Sequence, residues 1–468
     1  MLFSSPAFIL FLACYLPLHW LTPKDLRIYT MIAGSAVFYG YWNWAYAGLP
    51  VVLTLVTFIA TAWTTSAAPE RRRWRLGISV LMLLTPLLFF KYTNFIWNGV
   101  IGAVSRLAGV ANDERLLSLG LPLGISFVTF TLIAYLVDVS TGKYPHRASL
   151  RWLLGYVLFF PHLIAGPILR PHELIPQLHR QMPILRRNIL PGLALFTVGL
   201  IKKLVFADPI GSVVSEIYAQ PAGLGTAEYL FALYGYSVQI YCDFSGYTDM
   251  AIGLARLIGV RLPGNFRRPY MATSIGDFWR RWHITLSHWL RDYVYIPLGG
   301  SRDGDARTLR NILLTMALGG LWHGANWTFL VWGVLHGVGV AASRLQARLP
   351  FGGLKPPRWV LVFLTFHVVA LLWVFFRAQD FGSALTILSG CLFSWSFANA
   401  SAFLTAHAFE LTLIVGFFLL HPWDDARRVR IAARKAPPLV VYTVMAVACV
   451  LAYSIGSQSS NQFIYFEF

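Results

Sequence analysis

Long stretches of this chain contain no charged side chain. Four of them span residues 28–68, 116–137, 311–343 and 436–466. A helix needs about 20 apolar residues to cross the hydrocarbon layer of a membrane, so each stretch is long enough. The first could cross twice, with a break near Gly48-Leu49-Pro50.

Shorter apolar runs lie between basic residues at 76–90, 152–169 and 359–376. Their flanking Arg and Lys side chains could extend to the membrane interfaces. None of the runs alternates apolar with polar residues, as the strands of a membrane barrel would. The pattern predicts an all-α polytopic membrane protein with about eleven spanning or re-entrant helices.

Composition supports this prediction and excludes a soluble protein of several domains. Hydrophobic residues make up 57% of the 468 residues and charged residues 12%, whereas soluble domains have about 25% charged residues. No polar stretch is long enough for a separate soluble domain, so we predict one polytopic domain over residues 1–468. Residues 1–22 lack the basic start of a signal peptide, and we interpret them as an uncleaved first helix.

The net charge of +18 would suggest nucleic acid in a soluble protein. Here the basic residues fall in short segments between apolar runs, at 71–75, 186–187, 202–203 and 427–435. That placement favours cytoplasmic loops and contact with anionic membrane lipid, with no role for nucleic acid. Some of the charge could also attract an anionic substrate such as a coenzyme. The four cysteines are widely spaced, with neither metal-site spacing nor a disulfide framework.

Residues 261–310 differ from ordinary membrane helix, because they combine nine basic and four acidic residues with many aromatics. We predict a helix that is capped by Ser274 and ends before Pro297. It is too polar to lie in lipid, so it lies at an interface or among other helices. Together with the uncharged stretch that follows, it forms a predicted core segment at 261–343.

One face of that predicted helix carries groups suited to chemistry. Trp279 and Ser287 lie four positions before and after His283, and Arg281 lies beside it. His288 is spaced to pair with Arg291 and Asp292 in the same helix. An interfacial amphipathic helix with tryptophan anchors explains the same residues, so both interpretations stay open.

A second histidine, His323, lies within an uncharged stretch. Asn326 and Trp327 follow at helical spacing, which predicts one shared face. Ionisable groups at membrane depth are costly and usually face an interior cavity, although a structural histidine remains possible. His336 would lie about 220° away on a continuous helix, unless Gly333 breaks that helix.

Neutral imidazole can remove the proton of a hydroxyl near pH 7, and this activates the hydroxyl for acyl transfer. Asn326, indole N–H groups or backbone N–H groups near Gly324 could then stabilise the oxyanion. The sequence has no GxSxG elbow, P-loop or metal-ligand cluster.

Two further segments carry polar residues in apolar surroundings. Asp243 and Asp249 could bind a polar ligand or form a structural ion pair, for example with Arg256, and we favour the ion pair. Near Pro161 and Gly166, the chain is predicted to turn close to the surface. His162 and Arg170 could line a cavity mouth there, or simply belong to a loop.

The order of these segments resembles the membrane-bound O-acyltransferase family. The resemblance covers nearly the whole chain, and it is strongest to the bacterial branch that acylates exported polymers such as alginate, cellulose and teichoic acid. The strings that carry it are LPLGISFVTFTLIAYLVDV, FFPHLIAGPILRP, YCDFSGYTDMAIG, DFWRRWHITLSHWLRDYVYIPLGG, LWHGANWTFLVWG, LLWVFFRA and the terminal FIYFEF.

The resemblance implies that His323 is the catalytic residue and His283 the second candidate. With the residues above, it makes Asn326, Trp327, Trp279, Ser287, Arg281 and Asp243 candidate substrate-binding residues. It also implies a ring of helices around a funnel near His323. Acetyl-CoA or a related cytoplasmic thioester would be the donor, with no bound cofactor and no metal.

The resemblance further implies a place in the cell. The chain would lie in the bacterial inner membrane and pass acyl groups to a partner with a serine-hydrolase-like SGNH fold, within a polysaccharide synthesis or secretion complex. Alternatives are D-alanyl transfer to an envelope polymer, a transporter, or a scaffold of a glycan secretion complex. A transporter often shows internal repeats, which this sequence lacks.

Overall fold

The computed structural model describes residues 1–108, 120–180, 182–184, 186–346, 356–456 and 463–464. Regular structure within these ranges is helical, without a strand. The predicted all-α class is therefore confirmed. Contacts between Cα atoms divide the chain into two units, residues 1–193 with 251–263 and residues 194–250 with 264–468. The prediction of a single domain over residues 1–468 stays a prediction.

The first eleven α-helices in chain order are α1 (Pro6–Leu21), α2 (Arg27–Gly40), α3 (Leu49–Thr65), α4 (Pro69–Asn94), α5 (Gly102–Leu107), α6 (Ile125–Ser140), α7 (Leu150–Leu158), α8 (Phe160–Leu163), α9 (Pro171–His179), α10 (Arg186–Ile201) and α11 (Asp208–Ala219). The others are α12 (Thr226–Ile258), α13 (Ile275–Trp279), α14 (Ile284–Leu290), α15 (Asp305–His323), α16 (Trp327–Gln346), α17 (Arg358–Arg377), α18 (Phe381–Leu392), α19 (Ala400–Ala406), α20 (Ala408–Leu420), α21 (Ala426–Lys435) and α22 (Pro438–Gly456).

Six helical stretches among the described residues are long and apolar enough to cross a membrane. They are Trp44–Thr65, Pro69–Ile101, Arg187–Ala219, Trp327–Leu345, Arg358–Arg377 and Pro438–Gly456. A bent pair, Ala400–Ala406 with Ala408–Trp423, would make a seventh span. The chain is therefore a multi-pass membrane protein. The number of about eleven helices and their ring arrangement stay predictions.

In the first unit, the stretch 28–68 forms two helices, and α3 begins at Leu49 as the proline predicted. Residues 152–169 do not form one crossing, because α7 ends at Leu158 and α8 covers only Phe160–Leu163. His162 is buried, and its Nε2 lies 2.8 Å from the backbone oxygen of Tyr156. The expectation of a surface turn at this segment was wrong, since the turn packs inside the unit.

In the second unit, α15 and α16 pack against each other along a seam of glycines. A Cβ built on Gly333 would lie 3.1 Å from the Cα of Gly320. Small residues allow two helix backbones to approach this closely. The uncharged stretch 311–343 is thus a helical hairpin whose turn lies between His323 and Trp327.

The predicted single helix from Ser274 to Pro297 is broken into shorter pieces. Its start is confirmed, because Ser274 Oγ accepts a hydrogen bond from the backbone N–H of Asp277 at 3.1 Å. The chain leaves the helix after Trp279 and re-enters at Ile284, and His283 takes the left-handed conformation with φ of 41°. Non-glycine residues rarely adopt this region, so neighbouring contacts must hold it.

Candidate active site

His323 is the last residue of α15, and it is 3% exposed. Its imidazole lies among aromatic rings. The centroid distances are 4.8 Å to Trp322, 5.3 Å to Trp332 and 5.1 Å to Phe376. The next residue, Gly324, ends the helix with extended backbone. A Cβ at Gly324 would overlap the ring of Phe329, so only glycine leaves room for this turn.

His283 precedes α14 and is fully buried. Its ring packs edge-on against Phe244 at 4.7 Å, and its centroid lies 6.5 Å from that of His323. The sequence predicted both residues as site candidates 40 positions apart, and the structure brings their rings together. Burial lowers the pKa of His283 to about 3, so the imidazole is neutral at physiological pH.

Asn265 determines how the ring of His283 is held. Its Oδ1 accepts hydrogen bonds from the backbone N–H of Thr285 at 3.1 Å and from the Thr285 hydroxyl at 2.9 Å. Nδ1 of His283 lies 3.3 Å from the same oxygen. An amide oxygen only accepts, so Nδ1 of His283 carries the proton and its Nε2 has the basic lone pair.

The same contacts explain the break in the predicted helix. The backbone oxygen of Asn265 accepts from the N–H of Ile284 at 3.0 Å, and Arg267 donates to the backbone oxygen of Arg281 at 2.9 Å. These bonds tie residues 265–267 to the segment before α14 and hold His283 at positive φ. Sequence reasoning missed Asn265, because it lies 18 positions before His283 without helical spacing.

His336, in α16, is fully buried and accepts a hydrogen bond at Nδ1 from the indole N–H of Trp279 at 3.2 Å. In the neutral ring its Nε2 therefore carries the proton. Its ring lies 4.8 Å from that of Trp332, which also contacts His323. The prediction that His336 faces away from His323 assumed one continuous helix. It was wrong in that respect, because the helix breaks at Gly324.

Nε2 of His336 and Nε1 of Trp332 have no hydrogen-bond partner among the described residues, and both side chains are buried. A buried donor without an acceptor is unfavourable in a resting protein. Donors of this kind are the groups that stabilise an oxyanion during acyl transfer.

Asn326 and Trp327 lie outside this cluster. Because α15 ends at His323, the predicted shared face does not form. Asn326 Nδ2 donates to the backbone oxygen of Gln379 at 2.7 Å, and its Oδ1 accepts from the N–H of Thr328 at 3.2 Å. Trp327 is 41% exposed. These contacts make Asn326 a cap for α16, and its substrate-binding role stays a prediction.

Arg281 and Ser287 also have structural contacts. Arg281 Nε donates to Asp277 Oδ2 at 3.0 Å. Burial acts to raise the pKa of Asp277, but hydrogen bonds from Arg281 and the Thr273 N–H, with the nearby arginine charges, bring it below its ordinary value. Ser287 Oγ donates to the backbone oxygen of Trp282 at 3.4 Å and also lines a cavity. Trp279 bonds to His336 rather than lying on a helix face with His283.

Asp243 is part of a buried ion network. Lys203 Nζ lies 2.9 Å from Asp243 and 2.7 Å from Asp208, and the Ile464 N–H donates to Asp243 at 2.7 Å. The ion-pair interpretation is confirmed, with a lysine as the partner.

A second branch of the network joins Lys202 to Asp249 and Asp424, each at 2.8 Å, and Tyr241 donates to Asp424 at 2.6 Å. The expectation that residues 202–203 form an interfacial basic segment was wrong, since both lysines lie in a helical turn between α10 and α11 and pair with four carboxylates. Within the described ranges, no three His, Cys, Asp or Glu side chains group closely enough for a metal ion.

The structure thus describes a multi-pass membrane protein with a buried pair of histidines. Comparison with known proteins gives the class. Residues 140–350 match the family described as MBOAT, membrane-bound O-acyltransferase family. This segment contains both His283 and His323.

Full-length relatives agree with that match. The probable alginate O-acetylase AlgI of Azotobacter vinelandii is 41% identical over 81% of this chain and 76% of its own length. Its namesake in Pseudomonas putida is 35% identical over 100% of both chains. The peptidoglycan O-acetyltransferase of Helicobacter pylori is 36% identical over 83% of this chain and 79% of its own. The chain belongs to the membrane-bound O-acyltransferase family, and it is an O-acyltransferase.

Proposed function

We propose that this protein transfers an acetyl group from acetyl-CoA, or a related cytoplasmic thioester, for O-acetylation of an exported polysaccharide such as alginate or cellulose. The relatives named as O-acetylases align over most of the chain, which supports an acetyl rather than a D-alanyl group. The observation that carries the proposal is the buried pair of imidazoles, whose centroids lie 6.5 Å apart. Both belong to the segment that matches the family.

His323 is the proposed general base. It takes the proton of the acceptor hydroxyl while the oxygen attacks the thioester carbonyl and a C–O bond forms. The tetrahedral oxyanion then collapses, the C–S bond breaks, and the sulfur leaves as the thiol after it receives a proton. The neutral imidazole of His283 presents Nε2 as an acceptor and assists or orients this step.

The N–H groups of Trp332 and His336 are the proposed donors to the oxyanion. They are buried near His323, and a donor in such a site is worth more than it would be in water. Removal of a single oxyanion donor typically slows an enzyme about 100- to 1000-fold.

The site of action is the bacterial inner membrane. The acetyl group passes from the cytoplasmic donor across the bilayer to a periplasmic or extracellular SGNH-hydrolase-like partner, which completes transfer within a polysaccharide secretion complex. The multi-pass helices and the relatives' names, which refer to exported polymers, support this placement.

The test is an assay of polymer O-acetylation in cells whose own copy of the gene is deleted. His323→Ala is expected to abolish acetyl ester in the polymer at normal protein abundance. His288→Ala is the matched control, since this histidine lies on the surface of α14. Normal acetylation in the His323→Ala strain would contradict the catalytic role. Solute flux without any acyl donor would instead favour a transporter.

A further inference from the structure

The second unit contains an open cavity of about 850 Å³ between α12, α17 and α20. The helical turns at 269–271 and 421–423 complete its lining. Eight of its eleven lining residues are aromatic or aliphatic. A mostly apolar cavity of this volume is typical of a ligand site. None of the candidate catalytic residues lines it, so the proposed chemistry leaves this cavity without a role.

One face of α17 forms a wall of the cavity. Its lining residues follow each other at helical spacing, so they share that face: Arg358, Trp359, Val362, Phe363, Phe366 and His367. At 1.5 Å per residue the face is about 13 Å long. Because α17 is apolar and long enough to span the membrane, the cavity lies where hydrocarbon can enter it.

One end of this face carries a positive charge. Arg358 is the first residue of α17, and the neighbouring Trp359 is 73% exposed. Arginine and tryptophan at the end of a spanning helix are typical of the headgroup region of a membrane. No acidic side chain is among the described residues that line the cavity. The face therefore combines a cationic end with an apolar length, as an amphiphile with an anionic head requires.

The surrounding sequence predicts on which side of the membrane this end lies. Residues 344–358 include four basic side chains and no acidic one. The helix α21, which begins five residues after His421, has five basic residues and no acidic one. Basic segments beside spanning helices face the cytoplasm. Because the cytoplasmic leaflet contains anionic phospholipid, charge complementarity favours such a lipid as the occupant.

A buried hydrogen-bond donor in the lining also indicates a ligand. His421 is 3% exposed, and its Nε2 accepts from the backbone N–H of Tyr270 at 3.3 Å. The neutral ring therefore carries its proton on Nδ1, which has no partner among the described residues.

The other histidine of the lining has its hydrogen bonds within the protein. Nδ1 of His367 donates to the backbone oxygen of Phe363 at 2.8 Å, and its Nε2 accepts from the hydroxyl of Tyr234 at 3.0 Å. Only His421 thus offers a buried donor to the cavity from these two rings. A ligand with an acceptor oxygen would remove the cost of leaving that donor unpaired.

We propose that this cavity binds one anionic phospholipid of the cytoplasmic leaflet. Its phosphate contacts Arg358, one acyl chain lies against the apolar face of α17, and an ester oxygen accepts a hydrogen bond from Nδ1 of His421. The bound lipid fills the space between α12, α17 and α20 and stabilises their packing. The proposal goes beyond the proposed function and does not depend on it, since none of these residues has a part in acyl transfer.

The first test is native mass spectrometry of the full-length protein, delipidated in detergent and titrated with dioleoyl phosphatidylglycerol. The natural protein is expected to retain one lipid molecule. Arg358→Gln should weaken retention about tenfold, because it removes the charged partner of the phosphate. Arg428→Gln is the matched control, since Arg428 is an exposed arginine of α21 outside the cavity lining. Equal retention by Arg358→Gln and the natural protein would overturn the headgroup contact.

A pair of variants on α17 tests the apolar part of the site. Val362→Phe adds bulk inside the cavity and should weaken retention at least tenfold. Val368→Phe adds the same bulk at a position that is 46% exposed and outside the lining. Phosphatidylglycerol should raise the melting temperature of the natural protein and of Val368→Phe, but not that of Val362→Phe. Equal stabilisation of both variants would show that the chain does not lie on this face.

Changes in the ligand test each contact without altering the protein. Dioleoyl phosphatidylcholine, which has no net charge, should bind about fivefold more weakly than phosphatidylglycerol. The diether analogue of phosphatidylglycerol lacks ester carbonyl groups and should bind about threefold to tenfold more weakly, because Nδ1 of His421 stays unpaired. Equal binding of phosphatidylcholine would refute the selectivity for an anionic lipid. Equal binding of the diether would refute the contact with His421.

Two further outcomes would assign the cavity to another occupant. Glycerol 3-phosphate has the phosphate without the chains, and it is expected not to displace phosphatidylglycerol. Displacement at similar concentration would mean that the site holds a free phosphate rather than a lipid. A lipid-free dimer in the mass spectrum, absent from Val362→Phe and present in Val368→Phe, would show that a second copy of the chain covers the cavity instead.

Discussion

The indole N–H of Trp279 donates a 3.2 Å hydrogen bond to Nδ1 of His336. The bond joins the end of the short helix α13 to the middle of α16, across 57 positions of sequence. It fixes the proton of His336 on Nε2, and Trp279 itself also lines a cavity of about 600 Å³. One side chain thus ties α13 to the buried histidine of α16.

We expect Trp279→Phe to destabilise the protein by about 1–3 kcal/mol, because it removes a buried donor and leaves Nδ1 of His336 without one. Thermal unfolding in detergent would measure the loss. Trp359→Phe is the control, since Trp359 is 73% exposed. The double variant Trp279→Phe with His336→Phe should lose less than the sum of the single variants. Strictly additive losses would show that the hydrogen bond contributes nothing.

His283 should make stability depend on pH in the acid range. Its folded-state pKa of about 3 lies below its ordinary value of 6.5. Between these values the unfolded chain binds a proton that the folded chain does not, so stability is lost as pH falls from about 6.5 towards 3. His283→Gln should therefore have a flatter curve of melting temperature against pH than the natural protein. Parallel curves for the two proteins would contradict the buried, neutral state.

The sequence was sufficient for the class of fold and for singling out two histidines whose rings the structure brings together, because apolar runs and polar residues within them are local signals. It could not locate the helix breaks at His283 and Gly324. The first is held by Asn265, and the second is required by the packing of Phe329 against Gly324. Both are contacts between distant residues, so helical spacing along the chain placed Asn326 and His336 on the wrong faces.

Lys202 and Lys203 are a second case in which contacts between distant residues could not be predicted from the sequence. Two adjacent basic residues between apolar runs are typical of an interfacial loop. Here each lysine is neutralised by two carboxylates, and the partners of Lys202, Asp249 and Asp424, lie 47 and 222 positions away in the sequence. Pairing over that distance leaves no periodic signal in the sequence.

Lys203→Met should be strongly destabilising, by about 3–5 kcal/mol, because it leaves the buried carboxylates of Asp208 and Asp243 facing each other. Thermal unfolding and the yield of folded protein would report the loss. Arg307→Gln, which breaks the exposed pair with Asp303, should cost less than about 1 kcal/mol. Adding Asp208→Asn and Asp243→Asn to Lys203→Met should restore part of the stability. No rescue would point to lost packing rather than unpaired charge.

Gly320→Ala should prevent normal packing of α15 on α16, because a Cβ at this position would overlap the backbone oxygen of Phe329. A backbone atom cannot move aside as a flexible side chain can, so the yield of folded protein should fall sharply. Gly416→Ala is the control, since a Cβ there has no neighbour within 4 Å. Alanine is favoured over glycine inside a helix by about 1 kcal/mol, so this control should be neutral or stabilising. Equal yields of the two variants would contradict the close approach of the helices.

Substitutions of His323 and of His283 should lower kcat by different amounts. If His323 removes the hydroxyl proton, His323→Gln should lower kcat by about 100- to 10 000-fold and leave coenzyme A binding unchanged. His283→Gln should have a smaller effect, as expected of a residue that orients or assists. Release of free thiol by the purified protein would measure both.

Asn265 distinguishes an orienting role of His283 from a purely structural one. Asn265→Ala removes the oxygen near Nδ1 and should lower kcat about as much as His283→Gln does. Asn265→Asp keeps an acceptor oxygen at this position and should recover part of that rate. Because the amide oxygen also binds Thr285, melting temperatures must be compared to separate loss of folding from loss of rate. If Asn265→Asp shows no recovery at equal stability, the hydrogen bond does not set the position of His283, and His323 would act without it.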